Sequence, residues 1–129
     1  MKAERMFERW KQEVGYDDDD GEVEERVFEY LNEGQMQLAL KRLDGDVSDL
    51  QPIIDGQSEP DPRIPEFIHP AIVTYAVYLW FNAGNLVKQQ RGQGYLMLFN
   101  TMKAQMLSLR DEEIKRAGGG VYQFRNLYT

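Results

Sequence analysis

By length, 129 residues make one domain, large enough to bury roughly two thirds of the surface its unfolded chain exposes. Its 22 acidic and 15 basic residues leave a net charge of -7, which argues against wrapping DNA or RNA but suits a wall past which DNA slides without sticking. Cysteine is absent, so disulfides, thiolate zinc sites and cysteine nucleophiles are excluded, and a cytosolic setting is expected.

The segment from Met1 to Trp10 is charged and lacks an uninterrupted apolar core, so it does not read as a secretory signal. Within it, Ala3, Met6, Phe7, Trp10 and Val14 recur at spacings of three and four and predict a short amphipathic helix. Gly15 supplies its stop, and Tyr16 to Gly21 reads as an acidic loop.

The helical period resumes at Glu22. Val23, Val27, Tyr30 or Leu31, Gly34 and Leu38 form a stripe, with Met36, Leu40 and Leu43 beside it, so a second, longer helix should end near Leu43. Glu22, Glu24 and Glu25 favour its positive end, and Lys41 and Arg42 its negative end. A glycine inside a helix costs about 1 kcal/mol against alanine, so Gly34 implies close approach of another backbone.

Asp44 to Ile64 carries Gly45, Pro52, Gly56, Pro60 and Pro62 among acidic residues. It predicts a long connecting loop, either mobile or placed for contact with a partner. Pro65 or Pro70 can open a third helix, and continuous helix is expected from about Pro70. Ala71 to Phe81, interrupted only by Thr74, falls well short of the roughly 20 residues that span a bilayer and predicts a core helix surrounded by others.

Gly92-Gln93-Gly94 is expected to loosen or break the chain before a fourth helix. That helix carries Tyr95, Leu98 or Phe99, Met102, Met106 and Leu109 and runs to about Ala117. Gly118, Gly119 and Gly120 end it. In Val121 to Thr129, aromatic and polar residues alternate as in a strand, yet no other stretch looks like its pairing partner. The expected fold is all-α: a small bundle of about four helices, a long acidic proline-containing loop, and an extended C-terminal tail. Residues 1–117 form the domain and 118–129 a glycine hinge and tail.

Searches for chemistry fail in informative ways. Aligning Gly21 with the glycine of a helix-loop-helix calcium site puts Tyr16 at the first ligand position and Val27 at the bidentate one, so Asp17, Asp18, Asp19 and Asp20 read as a solvated loop. The sole histidine, His69, precedes Pro70 at a helix start and is expected to orient backbone. The sequence gives no ground for pairing Ser48, Ser58 or Ser108 with it in a nucleophilic triad. Gly84, Gly92 and Gly94 lack the spacing of a phosphate-binding loop and read as interruptions or close-packing points. Met97, Met102 and Met106 fall at core positions. No enzyme, cofactor or metal is expected.

The order of elements carries a likeness of its own. Val27-Phe28-Glu29-Tyr30-Leu31-Asn32-Glu33-Gly34-Gln35, a Pro-rich loop, Ile64-Pro65-Glu66, then His69-Pro70-Ala71-Ile72-Val73-Thr74-Tyr75-Ala76 and an early Tyr95 in the next helix together resemble the head-to-tail connector, or adaptor, proteins of tailed phages, over Glu22 to Ala117. The resemblance implies a non-catalytic virion subunit made in the host bacterial cytoplasm. Such subunits form a homo-oligomeric ring, usually dodecameric, between the portal protein and a stopper or tail-completion protein. DNA passes through without specific binding, and no membrane is involved. It also implies a partner for the tail, in which Val121, Tyr122, Phe124, Arg125, Leu127 and Tyr128 would dock on the portal. Asp17 to Asp20 become candidates for a channel-facing or partner-facing loop. A non-viral helical adaptor or regulator binding a partner protein is the alternative.

Overall fold

The computed structural model of the protein describes residues 1–42 and 47–117, with side chains at 41–42 and 108–117 outside that description. Among the described residues the chain forms α1 (Ala3–Val14), α2 (Gly21–Arg42), a single 3-10 turn (Glu66–Ile68), α3 (His69–Asn82) and α4 (Leu86–Ala117), and no strand. The all-α reading and the helix order hold.

The most apolar segment became the centre. α1, α2 and α4 each pack on α3, which buries Ala71, Ile72, Val73, Ala76, Val77 and Phe81. A helix this apolar over most of its circumference has no polar face to give to water, so neighbours cover it. α3 begins at His69, one residue before the expected Pro70, and Pro70 occupies its first turn.

The glycines decide how closely the helices cross. A Cβ on Gly34 would lie 3.0 Å from the Ile72 carbonyl oxygen and 3.2 Å from the Tyr75 Cβ, so α2 meets the α3 backbone there, as its position in the stripe implied. Gly92 corrects the expectation of a break. α4 runs without interruption through Gly92 and Gly94, and the chain turns earlier, at Ala83 to Asn85. The physical reason is contact: Gly92 is buried, and a Cβ there would meet the Phe81 Cβ at 3.2 Å and the Tyr78 carbonyl oxygen at 3.4 Å.

α1 closes the third side of α3 through aromatic packing. Trp10 is fully buried, stacks on Phe7 at 5.9 Å and meets Trp80 edge to face at 4.9 Å. Gly15 ends α1 in the left-handed conformation (φ 72°), as read from sequence.

The proline-containing loop is pinned down. Asn32 Nδ2 donates to the Ile53 carbonyl at 2.7 Å while its Oδ1 accepts the Ile53 N–H at 2.8 Å. One turn further along α2, the buried Gln35 donates to the Gln51 carbonyl and accepts the Asp61 N–H, both at 2.7 Å. These two amides give the loop the pairing that a neighbouring strand would otherwise supply. The loop in turn caps α1: the Ser58 and Gly56 carbonyls accept the otherwise unpaired N–H groups of Ala3 (2.8 Å) and Glu4 (2.9 Å).

Candidate interaction surfaces

The acidic run sits at one edge of the bundle. Asp17, Asp18, Asp19 and Asp20 are all exposed between α1 and α2. Asp20 caps α2, its Oδ1 accepting the Glu22 N–H at 2.9 Å and its carbonyl accepting the Glu24 N–H at 3.0 Å. Burial first, and then the charges of Asp20, Asp18, Asp19 and Asp17, hold the neighbouring Tyr16 phenol above its ordinary value. Among the described residues, no three His, Asp or Glu side chains converge where a metal ion would fit.

Two helix faces point away from the core. On α2, Glu22, Glu25, Arg26, Glu29, Glu33, Met36 and Leu40 follow one another at helical spacing and are all exposed, mostly acidic first and apolar after. On the side of α4 opposite Phe99 and Met106 run Leu86, Val87, Gln90, Gln93, Gly94, Met97, Thr101, Ala104 and Gln105, all exposed and without a charge among them, while the exposed Lys88 and Arg91 lie off this stripe. Val87 and Met97 are 74% and 71% exposed. Met97 was read as core and is corrected here. Phe99 and Met106 take the buried positions on α4, and Met97 falls on the opposite side of the helix.

The buried polar groups belong to the scaffold. Asp61 accepts the N–H groups of Gln51 (3.0 Å) and Arg63 (3.0 Å) and is held by the Arg63 guanidinium at 2.8 Å, which also reaches Asp49 at 3.0 Å. The Arg63 hydrogen bonds depress the Asp61 carboxyl well below the usual range, although burial opposes them. His69 has Nε2 3.2 Å from the Ile64 carbonyl and Nδ1 3.0 Å from the Met1 amino group, which also contacts Glu66 at 2.6 Å. Burial, then the amino-group charge, pushes the imidazole below its ordinary value. His69 therefore fastens the start of α3, and the groove beside it, about 380 Å³, is lined mainly by prolines and loop residues.

The tail residues Val121, Tyr122, Phe124, Arg125, Leu127 and Tyr128 lie outside the described residues. The run from Leu86 to Leu107 contains no acidic residue in a chain of net charge -7, which is the sequence signal that marks the α4 face. No described helix is long and apolar enough to cross a membrane. Compared with family models, curated proteins and solved structures, the chain has no match.

Proposed function

We propose that the chain is a structural, non-enzymatic subunit of a virion, forming a ring between a phage portal and the stopper or tail-completion protein and extending the DNA channel. The observation that carries this reading is the division of its surface: a largely acidic edge from Asp17 through the α2 glutamates, and an uncharged outer stripe on α4 that exposes Leu86, Val87 and Met97 among glutamines. A ring subunit needs a face that holds its neighbours and a face that does not hold phosphate.

The likeness in Val27 to Gln35 and Ile64 to Ala76 supports the same reading. Asn32 and Gln35, which belong to the quoted motif, have a definite job in this fold, clamping the connecting loop on α2. The aromatic tail, from Val121 to Tyr128, is the proposed portal anchor, added to a sheet edge or groove of the portal.

The decisive experiment is negative-stain microscopy of the full chain alone and with the portal of the same phage, repeated for a chain ending at Ala117. The full chain is expected to form rings, alone or on the portal, and the truncated chain to lose portal occupancy. Full occupancy after truncation sinks the tail's role, and a monomer under both conditions sinks the ring.

A second reading, a monomeric or dimeric adaptor or regulator that binds a partner helix, is favoured by an open groove of about 730 Å³ between α1 and α2 with Phe7 and Phe28 among its lining. Native mass with and without portal separates the two.

A further inference from the structure

We infer that the pocket between α2, the α3–α4 turn and the start of α4 receives one carboxylate, presented by an aspartate or glutamate side chain of a partner protein. This surface is separate from the uncharged stripe of α4 and does not rest on the ring reading.

The pocket holds about 210 Å³ and is lined by Arg26, Tyr30, Trp80, Ala83, Gly84 and Lys88. Two cations from different helices thus share one cavity in a chain of net charge -7. Both are exposed, and neither forms an ion pair with a described residue. Glu22 and Glu29 stand one helical turn to either side of Arg26, at spacings where ion pairs form along a helix, yet Arg26 pairs with neither and lines the pocket instead. Lys88 lies in the first turn of α4, where no acidic residue offsets it and the helix dipole disfavours a cation.

The turn holds Lys88 in place. A Cβ on Gly84 would come 2.7 Å from the Lys88 Cδ and 3.0 Å from its Cβ, so a larger residue there would push this side chain aside. The Gln89 amide donates to the Gly84 carbonyl at 3.1 Å, and the Asn85 Oδ1 accepts the Lys88 N–H at 3.0 Å, which fixes the backbone on both sides.

The surroundings select the anion. The same stretch of α2 exposes Glu22, Glu25, Glu29 and Glu33, so a dianionic phosphate or the backbone of DNA would gain two cations and meet those carboxylates. A single carboxylate meets less repulsion, and its two oxygens match the planar fork of the Arg26 guanidinium. The Lys88 ammonium and the Tyr30 hydroxyl supply further donors. Beside them lie the half-buried rings of Tyr30 and Trp80, and Arg, Tyr and Trp are the residue types that carry most binding energy at protein interfaces. With both cations exposed, the pocket holds a free carboxylate weakly. A partner that covers it excludes water and strengthens the same contacts.

The test uses the full-length chain at low ionic strength, with heteronuclear NMR following the Trp80 indole N–H and the Gly84 amide. The probe is a glutamate residue blocked at both ends, so that its side chain carries the single carboxylate, and the blocked glutamine is its uncharged control. The glutamate is expected to give a saturable shift and the glutamine none. R26Q and K88Q should each raise the half-saturating concentration by about tenfold or more. R5Q, which changes the net charge equally from an exposed position on α1, should leave it unchanged. Circular dichroism first establishes native helix content for every variant. The proposal is overturned by a wild type without a saturable shift, by equal shifts with the glutamine, or by R26Q and K88Q titrating like the wild type. Tighter binding of inorganic phosphate or a short DNA duplex at equal ionic strength also overturns it, by assigning the pocket to phosphate. None of these outcomes bears on the ring, which is read from particle images.

Discussion

The side-chain amide of Gln35 and the backbone N–H of Asp61 meet at 2.7 Å in a position almost closed to water, and the same amide donates to the Gln51 carbonyl at 2.7 Å. One side chain on α2 thus holds both ends of an eleven-residue stretch of loop, from Gln51 to Asp61. Gln35→Ala strands a buried donor and a buried acceptor, at a cost of about 1–3 kcal/mol for each group left without a partner. Urea denaturation is expected to show a lowered midpoint with little change in slope. Gln35→Glu should be worse, because a carboxylate cannot donate to Gln51. A glutamate variant as stable as the wild type would remove the clamp from this account.

Acid should act through Asp61 and His69. The Asp61 carboxyl is depressed by the Arg63 hydrogen bonds, so the folded chain binds its proton less readily than the unfolded chain. Its stabilising contribution is complete above the ordinary carboxylate range and is lost as pH falls through and below that range. Asp61→Asn is expected to be less stable at neutral pH and to show a shallower acid limb in stability plotted against pH.

His69 is likewise depressed below 6.5, chiefly by burial, so stability falls as pH drops beneath 6.5, where the unfolded chain takes up the proton first. A proton-NMR titration of the imidazole should place its midpoint below 6.5. A midpoint above it would contradict the buried environment.

Two glycines should respond to the same substitution with opposite signs. Gly94→Ala meets nothing within 4 Å and gains helix propensity of up to about 1 kcal/mol. Gly34→Ala presses a methyl to 3.0 Å from the Ile72 carbonyl oxygen, so that gain is outweighed by α2 moving off α3. Thermal melts at low protein concentration, where association does not contribute, are expected to rise for the first and fall for the second.

Core and surface on the aromatic and methionine positions separate just as sharply. Trp10→Ala empties a fully buried site packed against Phe7, Tyr16 and Trp80 and should cost about 3–5 kcal/mol. Met97→Ala, at 71% exposure, should change the stability of the monomer by less than about 0.5 kcal/mol. Denaturant midpoints measured on dilute protein check both. A large loss at Met97 would return it to the core.

Much of the fold was readable from periodicity. The stripes in Ala3 to Val14 and in Val23 to Leu38 placed α1 and α2, and the apolar run from Ala71 marked the central helix, because burial selects side chains at the helical repeat. Gly92 was misread because a glycine looks the same in sequence whether it releases a helix or lets two helices touch. Phe81 and Tyr78, which decide between those roles, lie on the preceding helix, and the helical spacing within α4 does not show that they meet Gly92. Met97 was misread because a methionine near the right spacing fits either side of a helix until the facing helix is known.

By itself, the amino-acid order determined the class of fold, the helix boundaries to within a residue or two at Gly15 and His69, the acidic loop at Asp17 to Asp20, and the lack of thiol chemistry. Those properties are local, set by spacing, capping and composition. Only the tertiary structure decided that Asn32 and Gln35 clamp the proline-containing loop, that Asp61 serves the scaffold, and that α4 keeps an uncharged stripe outward. Each depends on groups far apart in sequence meeting within hydrogen-bond or van der Waals distance, and no local pattern encodes which of them will meet.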